Sequence, residues 1–542
     1  MIMKREQLKK LMLVTLSSAF VLSCTDLEIS ESDSIFPETS IGGFDGVNDP
    51  GSSVDQLYND MNGQFGDQAN LFALTEVSTD ELLVPTRGTD WGDNGIWRTL
   101  HSHTWSPSHQ YILNTWNQFN QNVFRASEVI DSRSNATAEQ VANAKFIRGF
   151  SMWVIMDLFG QVPFREVDEG PDISPRVLTR AEAADFVISD LTDAIAGLPA
   201  VNANNLEGTQ RGSKAAAQYM LAKVLLNKHI YTGGSPDTGD MNQVVSLVDD
   251  INGAGFDLQE GFFDIFTETA DSETIWWRPA AVGNRIWNTL HYNMAPEITG
   301  GGWNGFTTLA EFYDMYEGPS DTNVEGGAQE ERRGGVPQSG TAFVDTNDDG
   351  IDDNVVGGVD GNDDGFIDGS NVGYGFLLGQ QYDYNGSKLK TRPGADLTFT
   401  KSLPGLVGNG ENTGIRVIKY NPRHGGFTPH LIIFRYSDAH LMKAEAILRG
   451  ASGDATALVN ELRVLRGATP LGSVSEADLL EERGRELYEE FWRRNDMIRF
   501  GQFTRDWEFK DAAAVGDETK NLFPIPVNAL LSNPNLVQNP GY

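Results

Sequence analysis

The sequence predicts a mainly α-helical protein: helix hairpins stacked as a solenoid, interrupted by a large, irregular, loop-rich lobe that contains short strands. Three observations carry this. Apolar residues recur at i, i+3, i+4 and i+7 spacing in several segments with recognisable starts. Short connections join those segments, which favours antiparallel neighbours. Between about residues 255 and 429 the helical period fades and glycine stands beside Trp, Tyr and Asn, over a stretch too long for one loop.

The elements follow in order. Ser106-Pro107 opens a predicted helix through Tyr111, Leu113, Trp116, Phe119, Val123 and Val129. Thr137-x-x-Gln140 has the capping-box pattern and precedes Phe146, Phe150, Trp153 and Leu158, with Pro163 closing the segment. Thr179-x-x-Glu182 repeats the device before Phe186, Ile188, Leu191 and Ile195. Gly212-Ser213 begins an Ala-rich run to Tyr231 that Gly233-Gly234 ends. Further helices are expected over 432–448, 456–465 and 475–500, and a short strand over 415–420. No 34-residue consensus recurs with fixed Trp, Gly and Tyr positions, so the repeat is one of structure. Trp116, Trp153 and Trp492 lie at helical spacing and are assigned to the core; Trp276 and Trp277 are left open.

The chain begins as an export signal. Lys4, Arg5, Lys9 and Lys10 precede an apolar run over 11–22. At about 1.5 Å per residue such a run cannot cross a hydrocarbon core of about 30 Å, so residues 1–23 read as a cleaved signal. Val21-Leu22-Ser23-Cys24 has the spacing of a bacterial lipobox, and Cys24 is the only cysteine. That excludes an internal disulfide and a Cys-rich zinc site. An acylated Cys24 would anchor the chain, with the acidic, Ser-rich stretch 24–45 as tether. Of 542 residues, 41 are Lys or Arg and 76 are Asp or Glu, a net charge of −35. Such a balance argues against nucleic acid, whose phosphates need basic density, and against polyanionic ligands.

Five blocks in order then carry a resemblance: 144–164 (AKFIRGFSMWVIMDLFGQVPF), 212–226 (GSKAAAQYMLAKVLL), 434–450 (FRYSDAHLMKAEAILRG), 482–501 (ERGRELYEEFWRRNDMIRFG) and 522–542 (LFPIPVNALLSNPNLVQNPGY). Following a lipobox, they resemble the SusD/RagB family of outer-membrane, cell-surface glycan-binding lipoproteins. The resemblance implies tetratricopeptide-like helix pairs, a variable lobe that binds oligosaccharide, and a SusC-like TonB-dependent transporter over which the protein sits as a lid. The expected organisation is a helical-repeat region over 46–254 with an aromatic loop at 86–105, a glycan-binding lobe over 255–429, and a second helical-repeat region with tail over 430–542.

A neutral sugar is held by flat aromatic faces beside hydrogen-bonding groups. Two segments have that mixture. In 89–97, Trp91 and Trp97 flank Asp93 and Asn94; in 286–304, Trp287 and Tyr292 precede Gly300-Gly301-Gly302-Trp303-Asn304. Each ring either faces ligand or packs beneath its loop. The composition predicts that at least one of Trp91, Trp97, Trp287 and Trp303 faces ligand and that the two segments converge. A neutral oligo- or polysaccharide is expected, with a β-glucan such as laminarin as the example.

The Asp-rich segment 345–368 holds two copies of a calcium-loop pattern. Asp345, Asn347, Asp349, the Ile351 carbonyl and Asp353 form one; Asp360, Asn362, Asp364, the Phe366 carbonyl and Asp368 form the other. Position 12 holds Val356 and Asn371 in place of the bidentate Glu, so structural Ca²⁺ is expected without a sensor switch, a solvated acidic turn pair being the alternative. No phosphate loop, H-E-x-x-H or G-x-S-x-G motif occurs, and the expected function is non-catalytic. A surface glycoside hydrolase and a helical-repeat protein adaptor are the alternatives. Glu481-Glu482 and Glu489-Glu490 read as helix-surface charges paired with nearby arginines, and His101 and His103 lack a metal-ligand pattern. Chelation is expected to lower the unfolding temperature and added calcium to restore it; identical melting with and without chelator removes the calcium assignment.

Overall fold

The computed structural model describes residues 43–542 except 205, 267–270, 281, 295–300, 337–372, 383–386 and 421–428. Cys24 and both Asp-rich loops lie outside the described residues. The unit described below is Asp45–Tyr542.

Its helices of seven residues or more are labelled in chain order. α1 is Pro50–Gly66, begun by Asp49, whose side chain accepts from Ser52 N–H, and by Pro50 in the first turn. α2, Gln110–Ile130, starts later than its sequence signal, because His109 N–H bonds Ser106 C=O at 3.0 Å and closes a turn first. α3, Ala138–Phe159, and α4, Arg180–Gly197, both form the complete capping boxes that Thr137/Gln140 and Thr179/Glu182 predict. α5, Lys214–Thr232, is capped by Ser213 and ends on a left-handed Gly233. α6, Thr238–Gly253, capped by Asp237, was not anticipated. Successive helices pack: α2 on α3, α3 on α4, α4 on α5, α5 on α6. α3 is buried over most of its length, as a helix packed between two neighbours is, and its buried Arg148 pairs with Asp190 of α4 at 2.7 Å. The tryptophans assigned to the core, Trp116, Trp153 and Trp492, are all buried.

α6 next meets α8, Tyr436–Leu448, which packs on α9, Ala455–Leu465, and α10, Glu476–Leu487. The single helix expected over 432–448 is therefore a strand followed by a helix. β6, Leu431–Arg435, is buried at every position and pairs antiparallel with β3, Thr274–Arg278. A continuous apolar run of this kind suits a strand covered on both faces. The helix expected over 475–500 is also divided. It stops at Leu487 and resumes as α11, Arg493–Arg499, because Glu489 (φ 61°) and Phe491 (φ 75°) turn left-handed. The lobe carries the short helix α7, Gly283–Thr289, and β4, Tyr374–Leu377, paired with β5, Arg416–Ile418. β1, Val162–Phe164, and β2, Arg176–Leu178, form a separate hairpin. Among the described residues no helix is long and apolar enough to cross a membrane.

Glu482, Glu489 and Glu490 are not surface charges: all three are buried. Glu482 and Glu490 belong to an ion-pair network between the lobe and the C-terminal helices. Glu489 is buried without an ion pair among the described residues, and burial raises its carboxyl to about 7. Arg435 contacts Glu273, Glu486 and Glu490, each at 2.7 Å. Arg466 reaches Glu486 at 3.1 Å and Glu273 at 3.3 Å. Arg332 of the lobe meets Glu330 at 2.8 Å, Glu482 at 2.7 Å and Glu486 at 3.2 Å. Alongside, Asp438 is shared by Lys223, Arg483 and Tyr219. Burial works to raise the Glu482 carboxyl, but Arg332, Arg485 and Arg463 outweigh it and hold it at about 2. A carboxylate depressed in the folded state adds stability that is complete above its ordinary range and lost as pH falls toward its folded value. Acid unfolding is thus expected to begin below about pH 4.5. Glu486→Gln would leave three buried guanidinium groups short of a counter-charge, at a cost of about 3–5 kcal/mol in denaturant unfolding. A change below about 1 kcal/mol would contradict this reading of the network.

Candidate functional site

The two aromatic segments meet. Trp91 Nε1 donates to Trp303 C=O at 2.7 Å, and Tyr292 OH donates to Asp90 Oδ2 at 2.6 Å. The approach depends on glycine. A Cβ on Gly305 would lie 2.5 Å from the Trp91 indole, and one on Gly302 would lie 1.9 Å from Leu290 C=O. Only bare backbone fits at both places. Residues 91–95 turn through left-handed conformations at Trp91 (φ 61°), Asp93 (φ 36°), Asn94 (φ 50°) and Gly95 (φ 82°). For a residue as bulky as Trp this is strained backbone, of the kind that clusters at functional sites.

The individual rings differ. Trp303 is 42% exposed, the largest exposed hydrophobic side chain in the described structure, and Trp287 of α7 lies beside it, half-buried, with centroids 5.7 Å apart at 42°. Trp91 is also half-buried and meets Trp97 edge to face at 6.1 Å. Trp97 is core, contrary to the ligand-facing role open to it. The short helix Ile96–His101 turns its ring inward against Tyr111 and Phe306, and its Nε1 donates to Asp93 Oδ2 at 3.2 Å. Asp93 and Asn94 are exposed, with the Asp93 carboxylate already engaged by that indole. Tyr292 is half-buried, and Arg392 covers one face of its ring at 3.6 Å from the centroid.

Asn304 is fully buried and serves as a brace instead of a ligand contact. Arg416 Nη2 and Nε donate to its Oδ1 at 2.7 and 2.9 Å, and Arg87 Nε donates to its C=O at 3.2 Å. Arg87 also bonds Thr413 C=O at 2.6 Å, and Arg416 bonds Glu411 C=O at 2.9 Å. The two guanidinium groups thereby tie three loops, near residues 87, 304 and 413, through carbonyl oxygens. Burial without a counter-ion pulls both below the ordinary arginine value, Arg87 to about 9.

A polar wall that sequence reasoning missed stands beside the rings. Arg392 donates to Asp90 Oδ2 at 3.0 Å and to Glu411 Oε1 at 2.6 Å. His291 Nε2 lies 3.1 Å from Glu411 Oε2, while its Nδ1 accepts from Asn293 N–H. That places the ring proton on Nε2, so the neutral imidazole donates to Glu411. Burial holds His291 at about 4, which keeps it neutral near pH 7. Burial works to raise Glu411, yet hydrogen bonds from Arg392 and His291 outweigh it and keep the carboxyl below its usual value. Hydrogen bonding from Tyr292 likewise lowers Asp90. The wall residues come from segments far apart in sequence, and no spacing signals their meeting.

Other candidates are structural. His101 and His103 are buried, bonded through Nε2 to Glu508 and Ser78 carbonyls, and packed against Trp507. No group of His, Cys, Asp and Glu suited to a metal occurs among the described residues. A groove of about 470 Å³ lies elsewhere, lined by Trp116, Phe124, Pro163, Asn120, Asn528 and Asn533. Its Trp116 is buried edge-on to Phe159, so it presents no open ring like that of Trp303.

Known proteins match this fold over nearly the whole chain. The family model described as SusD family matches residues 272–542, and one described as starch-binding, associating with outer membrane, matches 47–226. The chain belongs to the SusD family. It is 26% identical to the starch-binding protein SusD of Bacteroides thetaiotaomicron across all of both chains. Among solved structures, a laminarin-binding SusD-like protein superposes with a TM-score of 0.62 at 19% identity, covering 92% of this chain and 100% of that one. Surface glycan-binding protein A from Bacteroides thetaiotaomicron, in complex with laminarihexaose, gives 0.59 at 19% identity, covering 90% and 98%.

Proposed function

We propose that this chain is a cell-surface lipoprotein that binds a neutral oligo- or polysaccharide without cleaving it and passes it to a TonB-dependent channel of the outer membrane. The observation that carries the binding step is the exposed Trp303 ring, paired with Trp287, on loops that Trp91, Tyr292 and Asn304 tie to the Arg392–Asp90–Glu411 cluster. A pyranose presents C–H groups on its faces and hydroxyls at its rim. The indole takes the first and the charged wall the second. Starch and laminarin, which the relatives bear in their names, are both uncharged glucans, and this supports a neutral ligand here. Outer-membrane anchoring through Cys24 and the transporter hand-off rest on the lipobox and on family membership.

The test is affinity electrophoresis through gels containing laminarin or starch, with assay of the glycans for reducing ends. Retardation without product is expected. Trp303→Ala is expected to weaken retention by about 1–3 kcal/mol, roughly fivefold or more in Kd, with little effect on stability. Trp97→Ala should instead lose about 3–5 kcal/mol of stability. Unchanged retention of a folded Trp303→Ala variant would overturn the site, and release of sugar would favour the hydrolase.

A further inference from the structure

The wall beside Trp303 has a charge pattern that bears on which glycans can approach. Arg392 is its exposed cation, with its side chain 48% accessible. Asp90 takes the Nη2 edge and Glu411 the Nε edge, and the Arg392 backbone N–H donates to Glu411 Oε2 at 2.8 Å. Tyr292 stacks beneath the guanidinium and also donates to Asp90; His291 fixes Glu411 from behind. The neighbouring Lys388 and Lys390 both pair with Asp396. At the exposed edge of the wall one positive charge is therefore shared by two negative ones, and the nearby ammonium groups share a carboxylate partner. The Arg87 and Arg416 guanidinium groups are buried behind it and spent on protein carbonyl oxygens.

We propose that Arg392, Asp90 and Glu411 together determine the specificity of this surface: a masked guanidinium that reads paired hydroxyls of a neutral glycan and rejects uronate or sulfate groups. This deepens, and rests on, the glycan-binding reading above. A glycan carboxylate directed at the remaining Nη1 edge of Arg392 would have to approach the like charges of Asp90 and Glu411, which already neutralise the guanidinium. A vicinal diol loses nothing there. Its hydroxyls donate to carboxylate lone pairs and accept from Nη1, one of the guanidinium edges left by a five-donor group with two carboxylate partners. Tyr292 serves here as the plate that keeps this guanidinium in place.

Calorimetric titration of the folded chain with laminarihexaose, maltohexaose and hexagalacturonate tests this, using wild type, Arg392→Gln, and the double variant Asp90→Asn/Glu411→Gln. Both amide replacements keep side-chain size, and melting curves verify folding. Wild type is expected to bind at least one glucan, with affinity nearly constant between about 0.05 and 0.5 M salt, and to leave the uronate unbound. The double variant unmasks Arg392 and should acquire uronate binding that high salt abolishes. Arg392→Gln should weaken the glucan about fivefold or more without that gain. Wild-type binding of hexagalacturonate as tight as of glucan, or a folded double variant still blind to it, overturns the proposal. A wild type that binds neither glucan removes the glycan reading itself, and this inference with it.

Discussion

The arrangement of the whole molecule turns on a set of buried charges that must meet or leave the interior unpaired. Arg435 ends β6 and starts α8; its guanidinium holds Glu273 before β3, Glu486 in α10 and Glu490 beyond it. Arg332 brings in the lobe and Arg466 the end of α9. Ion pairs taken out of water add little net stability over apolar packing, but a member left without its partner is costly. The consequence is positional. A shift of the lobe against the helices by a few ångströms would strand several charges at once, so the register of β3 on β6 and the placement of the lobe are fixed together.

The proposed binding surface inherits that rigidity. α7 follows β3 after a few residues and carries Trp287 to the rim. On the other side, β5 places Arg416 where it can hold Asn304, next to Trp303. Arg87 then fastens the loop that bears Trp91. Strained residues at 91–95 persist because their surroundings are over-determined by these braces. Trp303 is thus an exposed ring on a stiff mount, which lowers the ordering cost of binding.

Much of the helical framework was legible in the sequence because its signals are local. The Thr137/Gln140 and Thr179/Glu182 boxes each act within one turn, and Gly233 ends α5 by its own backbone preference. Where tertiary pairing decides, the reading failed. Leu431–Arg435 has an apolar run that periodicity cannot assign, and β3 makes it a strand. Glu482 and Glu490 look like surface charges until Arg332 and Arg435 arrive from far along the chain. At the site, Gly beside Trp marked both segments, yet Trp97 went to the core and Asn304 to a brace. Arg392, Asp90 and Glu411 gave no pattern, since their partnership exists only in three dimensions.

The central claim is that the Trp303–Trp287 surface with its polar wall is where this chain meets sugar. A crystal structure of the protein soaked with laminarihexaose or maltohexaose tests it most directly. The account predicts a pyranose ring stacked on Trp303, with hydroxyls on Arg392 and on Asp90 or Glu411. A hexasaccharide seated instead in the groove by Trp116 and Phe124, with Trp303 bare, would contradict it.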